Sequence, residues 1–285
     1  MIFIRTERFE SFSSAVDHLV NQWPTGTYSA TVNTTKTHTR ILRTIAVSVD
    51  IPQVLLPGGG ATAASWAPVA RLLTGRRSVI APDIPGDAGN TTLTTTKLTQ
   101  AQMHDWLDEV LDKVGANEID LAGHSYGGWL ALSYALARPG RVRNLTLVAP
   151  SMCFAPLSFR YVLHALPVVL RPSTSAARRL LNWETADYPP DPSSADVYIT
   201  AADQRWPGVP RPTRPTSRDL GRLNVKSVNL VLAGDDRSQD NTTCKTNAQK
   251  YLSQVHVVDV PGATHHSVVD RGSKTIATAL LGSHG

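Results

Sequence analysis

The nine residues Leu121-Ala122-Gly123-His124-Ser125-Tyr126-Gly127-Gly128-Trp129 constrain this chain more than any other stretch. An apolar strand predicted over 119–122 runs through G-x-S-x-G into an apolar helix predicted over 127–138. Ser125 is left on a turn too tight for side chains at the flanking positions, and Gly123 and Gly127 supply the room. Such a turn lifts the serine hydroxyl clear of the carboxyl edge of a sheet and aims the next backbone N–H, that of Tyr126, at the same spot. The bare pattern is weak, because Gly and Ser are common residues. The strand before it and the helix after it give it mechanical meaning, and candidate chemistry is therefore placed at Ser125.

A chain of 285 residues buries most of its apolar surface, so a large core is available to hold this turn. Hydrophobic content of 41% and charged content of 18% are those of an ordinary globular protein and argue against extensive disorder. No apolar run is long enough to span a bilayer, and residues 1–23 carry Glu7, Glu10 and Asp17 in place of a signal-peptide core. Cys153 and Cys244 are far apart and in no C-x-x-C arrangement, which predicts neither a zinc site nor a disulfide framework. Free thiols point to the cytoplasm. The net charge of +5 raises nucleic acid as a partner, but the arginines are scattered and no recognition motif accompanies them, so none is expected.

From the N-terminus, Phe9, Phe12, Val16, Leu19, Val20 and Trp23 recur at helical spacing ahead of Pro24. Residues 28–32 and 38–42 read as a β-hairpin, with a further strand over 45–49. A strand over 53–56 then ends in Pro57-Gly58-Gly59-Gly60-Ala61 and a helix reaching Leu73. These glycines fit two patterns. G-x-G-x-x-A between strand and helix is the dinucleotide fingerprint, and Asp83 after the next strand, 78–81, lies where a ribose-binding acid would. A glycine loop in this place also suits an oxyanion site, with the N–H of Gly59 as donor. A dinucleotide site gives no reason for G-x-S-x-G farther on, so the oxyanion reading is preferred. No G-K-[ST] follows, which removes the phosphate-binding P-loop.

Residues 82–90 and the Thr-rich run after them read as surface connection, and an apolar helix face from Leu98 to Val114 leads into the Ser125 strand. The continuous apolar strand over 142–149 is what a parallel sheet covered on both faces requires. Character changes at Ser151. An apolar helical run through Leu163, Leu166 and Leu170 is followed by Arg178 and Arg179, read as solvated, and by a Pro-rich stretch, 188–215, expected to hold neither strand nor helix. An insertion between sheet strands lies over their carboxyl ends, so 151–222 is predicted to be a lid. Core segments 1–150 and 223–285 flank it. The alternating pattern resumes with a strand over 228–233, a helix over 242–252 and a strand over 255–260. Asp235, Asp236 and Asp240 follow the first of these strands, and His265 and His266 follow the second. An acid and then a histidine complete the chain order Ser, Asp, His.

These motifs together resemble the α/β-hydrolases, and more narrowly the small lid-bearing bacterial carboxylesterases. The resemblance rests on Leu55 to Gly60 with Trp66, Ala81 to Gly86, Gly123 to Gly128, and Pro261 to His265. It implies an α/β fold with a mostly parallel central sheet flanked by helices and an inserted lid. It further implies Ser125 as nucleophile, His265 as general base, Asp236 as the acid orienting it, and the N–H groups of Gly59 and Tyr126 as oxyanion donors. Two departures stand out. Pro57 occupies a position where many relatives carry His, and Arg237 occupies one where the acid often lies, so Asp235 and Asp240 remain alternatives to Asp236, as does His266 to His265.

The expected activity is cleavage of a small-molecule ester through an acyl-enzyme, with no metal or organic cofactor. Relatives on this scaffold that act as lyases, cyclases or cofactor-free peroxidases form a second class, and ligand-binding receptors a third. Oligomeric state is not encoded in any feature above.

Overall fold

Strands β3 (Gln53–Leu56), β4 (Val79–Pro82), β6 (Ile119–His124), β7 (Val142–Val148) and β8 (Ser227–Ala233) are short, apolar and almost wholly buried, because both of their faces must be covered. The computed structural model describes residues 11–46, 51–185, 187–204, 206–252 and 254–282. Together with β1 (Tyr28–Asn33), β2 (Thr37–Thr44), β5 (Thr92–Leu93) and β9 (Val255–Val260), these strands form one sheet in the order β1-β2-β4-β3-β6-β7-β8-β9, with β5 beside β2. The hairpin β1–β2 and the β2–β4 pair are antiparallel, whereas β4, β3, β6, β7, β8 and β9 run parallel. The expected strand over 45–49 falls largely on residues outside those described.

Period-two alternation splits the core into two layers. Val54, Leu56, Ile119, Leu121, Leu145, Leu147, Leu230 and Leu232 point to one face, and Leu55, Ala122, Val148, Val231 and Ala233 to the other. The first face is covered by α3 (Gln100–Lys113) and α4 (Tyr126–Ala137) through Met103, Trp106, Leu107, Trp129 and Leu130. The second is covered by α1 (Phe12–Asn21), α2 (Ala67–Leu73) and a C-terminal helix, α11 (Ser273–Gly282). The helical spacing of Phe12, Val16 and Leu19 is thus explained, and Ser11 caps α1 in a reciprocal capping box with Ser14. Phe9, included in that expected helix, lies outside the described residues.

Between β7 and β8 the chain leaves the sheet and builds α5 (Phe159–Leu170), α6 (Thr174–Thr185), α7 (Pro192–Ala201) and the single turn α8 (Ser217–Leu220). Helix α7 overturns the expectation that the Pro-rich stretch holds no regular structure. Pro192 sits in the first turn, where its missing N–H costs nothing, and Asp191 caps the helix by accepting from the Ser193 N–H at 2.9 Å. After β8 come α9 (Asn241–Tyr251), β9 and the single turn α10 (Val268–Arg271).

The loop 82–90 is a second correction. It is mostly buried, because two of its carboxylates have distant partners that composition does not reveal. Asp83, fully buried, pairs with Arg40 at 2.8 Å and accepts from the Ala63 N–H at 2.7 Å and the Asn90 N–H at 2.8 Å. Pairing and hydrogen bonds together make that burial tolerable.

Candidate active site

Ser125 stands between β6 and α4 with φ 52° and ψ −114°, a backbone conformation that side-chain-bearing residues rarely adopt. Its flanks must be glycine. A Cβ on Gly123 would lie 2.1 Å from the Gly127 carbonyl oxygen, and one on Gly127 would lie 2.3 Å from that of Pro57. The same close approach brings the Pro57–Gly60 loop against the serine, where a Cβ on Gly58 would lie 3.4 Å from that of Ser125 and one on Gly59 would lie 3.8 Å from that of Tyr126. Tyr126 opens α4, so its N–H has no partner within the helix, and the residue lines the space beside Ser125. Asp87 steadies the glycine loop by accepting from the Gly60 N–H at 3.1 Å and the Ala88 N–H at 2.8 Å. Burial pushes the Asp87 carboxyl up to about 6, against the opposing pull of those two N–H groups.

The carboxyl ends of the parallel strands bring the other residues to this point. His265, in the loop after β9, lies with Nε2 2.7 Å from Ser125 Oγ and Nδ1 3.1 Å from Asp236 Oδ2, in the loop after β8. An ionised carboxylate only accepts, so Nδ1 carries the proton toward Asp236 and Nε2 is left to accept from the serine hydroxyl. Burial works to push His265 down, but the Asp236 charge, its hydrogen bond and the Glu184 charge outweigh this and raise it above the ordinary histidine value. In Asp236 burial is likewise outweighed, here by His265 and Ser238, and the carboxyl lies below its usual range. The Ser238 N–H donates to Asp236 Oδ1 at 2.6 Å, and Ser238 Oγ lies 3.0 Å from His265 Nδ1. Ser151 Oγ is 3.1 Å from Ser125 Oγ.

The rival residues are occupied elsewhere. Asp240 caps α9 by accepting from the Thr243 N–H at 2.7 Å, and Asp235 accepts from the Gly262 N–H at 3.1 Å. His266 reaches Glu184 through Nδ1 at 3.0 Å.

Three further residues of the site come from the chain between β7 and β8. Glu184, on α6 and fully buried, accepts from the His265 N–H at 2.8 Å as well as from His266. Tyr161 on α5 sets its ring 6.2 Å from that of His265, and Tyr198 on α7 sets its ring 4.7 Å from that of His266. Sequence reasoning missed all three, since nothing local marks them. From the other side, His124 Nε2 contacts the His265 carbonyl oxygen at 2.8 Å, and burial followed by the nearby His265 lowers it to about 3. A neutral His124 is therefore the donor in that contact. The partly open space beside Ser125 has a volume of about 170 Å³ and is bounded by Gly59, Tyr161, Leu181, Ala195, Tyr198 and Val269, among others. Among the described residues no group of three or more His, Cys, Asp or Glu is arranged to hold a metal ion.

The model of a family described as the alpha/beta hydrolase family matches residues 53–279. The chain belongs to this family. Among the relatives of this α/β hydrolase is the carboxylesterase YbfK of Bacillus subtilis, 26% identical over 218 residues that cover 76% of this chain and 71% of that protein. The solved structure of that carboxylesterase superposes with a TM-score of 0.83 at 22% identity, covering 94% of this chain and 95% of the other. Naproxen esterase, also of Bacillus subtilis, superposes with a TM-score of 0.84 at 18% identity, covering 96% and 98% of the two chains. An abhydrolase domain-containing protein of Caenorhabditis elegans, abhd-5.2, is 36% identical over 107 residues, a match that spans 36% of this chain and 24% of that protein. The structural likenesses establish the fold of this α/β hydrolase, a mostly parallel sheet flanked by helices.

Proposed function

We propose that this protein is a carboxylic ester hydrolase that works through an acyl-enzyme on Ser125. The observation that carries the reading is the unbroken chain of hydrogen-bonding contacts from Ser125 Oγ to His265 Nε2 and from His265 Nδ1 to Asp236, at 2.7 and 3.1 Å. His265 takes the serine proton as the alkoxide attacks the ester carbonyl, then delivers it to the departing alcohol; water reverses the sequence to release the acid. Asp236 holds the imidazole in the working tautomer. The N–H groups of Gly59 and Tyr126 receive the developing oxyanion, each worth roughly 3 kcal/mol of barrier. The chain needs no metal or organic cofactor for these steps.

Carboxylesterase relatives support an ester as substrate. The lid in this reading is 151–222, and it roofs the site with Tyr161, Leu181 and Tyr198. Buried free thiols at Cys153 and Cys244 suit a reducing cytoplasm, and among the described residues no helix is long and apolar enough to cross a membrane. The test is a fluorophosphonate probe with wild type and Ser125→Ala, run beside a panel of aryl esters. Labelling and turnover that both disappear with the hydroxyl support the reading. Turnover that persists in Ser125→Ala, or product acid that takes up no oxygen from labelled water, rejects it.

A further inference from the structure

Two hollows meet at Tyr198. The inner one, of about 170 Å³, holds Ser125 and His265 and is bounded by Gly59 and Ala61. The outer one is an open groove of about 750 Å³, bounded by Gly60, Val168, Pro172, Ala202 and Trp206. Among the described residues, Tyr198 is the one side chain common to both walls. The partition is thin. It consists of the Gly60 turn, whose neighbours on either side face inward, and the Tyr198 ring laid on it, with two ring carbons 3.1 Å from where a Gly60 Cβ would stand. The ring also meets that of His266 at a steep angle with centroids 4.7 Å apart, so it touches both the glycine loop and the histidine loop.

The inner volume falls below the roughly 300 Å³ at which drug-sized pockets begin, whereas the two spaces joined would come close to the upper end of that range, roughly 1,000 Å³. We infer that Tyr198 determines specificity by capping the length of the substrate, so that the native protein takes short esters and removal of the ring opens a ready-made groove to longer ones. The inference rests on the esterase reading and adds the substrate class to it. Beyond the ring the groove offers Val168, Pro172, Ala201 and Trp206 to an alkyl chain, with Asp203 and Gln204 also on its wall and the Asp203 carboxylate accepting from the Thr174 N–H at 2.9 Å.

The experiment compares wild type, Tyr198→Ala and Tyr198→Phe on p-nitrophenyl acetate, butyrate and octanoate. Free butyrate and octanoate are titrated calorimetrically into the same proteins. Wild type should prefer acetate and butyrate, and Tyr198→Ala should raise the octanoate-to-acetate ratio of kcat/KM by about tenfold or more. Tyr198→Phe, which keeps the ring, should retain the wild-type ratio, and Tyr198→Leu provides an intermediate opening should the alanine variant not fold. In the titrations octanoate should bind Tyr198→Ala about tenfold more tightly than wild type, with butyrate little changed. Octanoate accepted by wild type as readily as butyrate, or a ratio that Tyr198→Ala does not move, overturns the inference. If no protein hydrolyses any ester but the titrations behave as stated, the esterase reading fails while the partition stands. Titrations that do not respond to Tyr198→Ala sink the partition whatever the esters do.

Discussion

Helices α4 and α5 are both twelve residues long and both rich in apolar side chains, yet they stand in opposite surroundings. Every residue of α4 from Tyr126 to Ala135 is buried; α5 buries none, and Phe159 and Val169 are 75% and 72% exposed. Composition does not separate them. What does is the position of α4 directly after a buried strand of the sheet, which forces it against the core, whereas α5 begins after the chain has left the sheet. The lesson is a division of labour: the strand-and-helix scaffold sets the backbone of Ser125, and the chain between β7 and β8 contributes Tyr161, Leu181 and Tyr198 to the space beside it.

The sharpest challenge to this division lies in the scaffold itself. Ser125→Ala should lower kcat/KM by on the order of a million-fold, read by initial rates on a short aryl ester. Next comes the acid. Asp236→Asn should cost about ten-thousand-fold by favouring the wrong histidine tautomer, whereas Asp240→Asn, at the cap of α9, should leave rates within about twofold. Equal losses in the two would undo the assignment of the loop.

The helices can be compared directly by stability. Leu130→Ala in α4 should cost about 2–5 kcal/mol in a urea titration, and Leu163→Ala in α5 less than about 0.5 kcal/mol. A large loss at Leu163 would mean that its helix is covered in solution. The smallest effect sharpens the comparison from the side of the chain between β7 and β8. Glu184 helps hold the His265 proton, so Glu184→Gln should lower kcat/KM by only about tenfold and move the acid limb of the pH–rate profile to lower pH. In wild type that limb should lie above the ordinary histidine value of 6.5, activity being lost as His265 gains its proton on acidification. A limb unmoved by Glu184→Gln would reduce the residue to a purely structural contact.

Much of the scaffold was legible because local pattern and long-range role coincide there. Strands 53–56 and 255–260 emerge as expected, and the turn at Ser125 is dictated by glycines whose replacement would drive atoms into backbone oxygens. Residues 82–90 misled because Pro, Gly and Asp together mean solvent in most chains; here Asp83 and Asp87 are drawn inward by Arg40 and by backbone N–H groups remote in sequence. Helix α7 was hidden by Pro192 and by the prolines on either side of it. Glu184 could not be found from its neighbours, since the N–H it receives lies 81 positions away. Pattern reading sees periods, and such contacts have none.

That buried carboxylate also has a bearing on engineering. Chimeras that transplant the region between β7 and β8 from a relative, to borrow its selectivity, would remove the group that holds the main chain of His265. The buried His265 N–H would then be stranded away from water, and the imidazole would lose its bearing on the serine. Grafts should therefore be cut so that Glu184, or another acceptor in its place, stays with the histidine it serves.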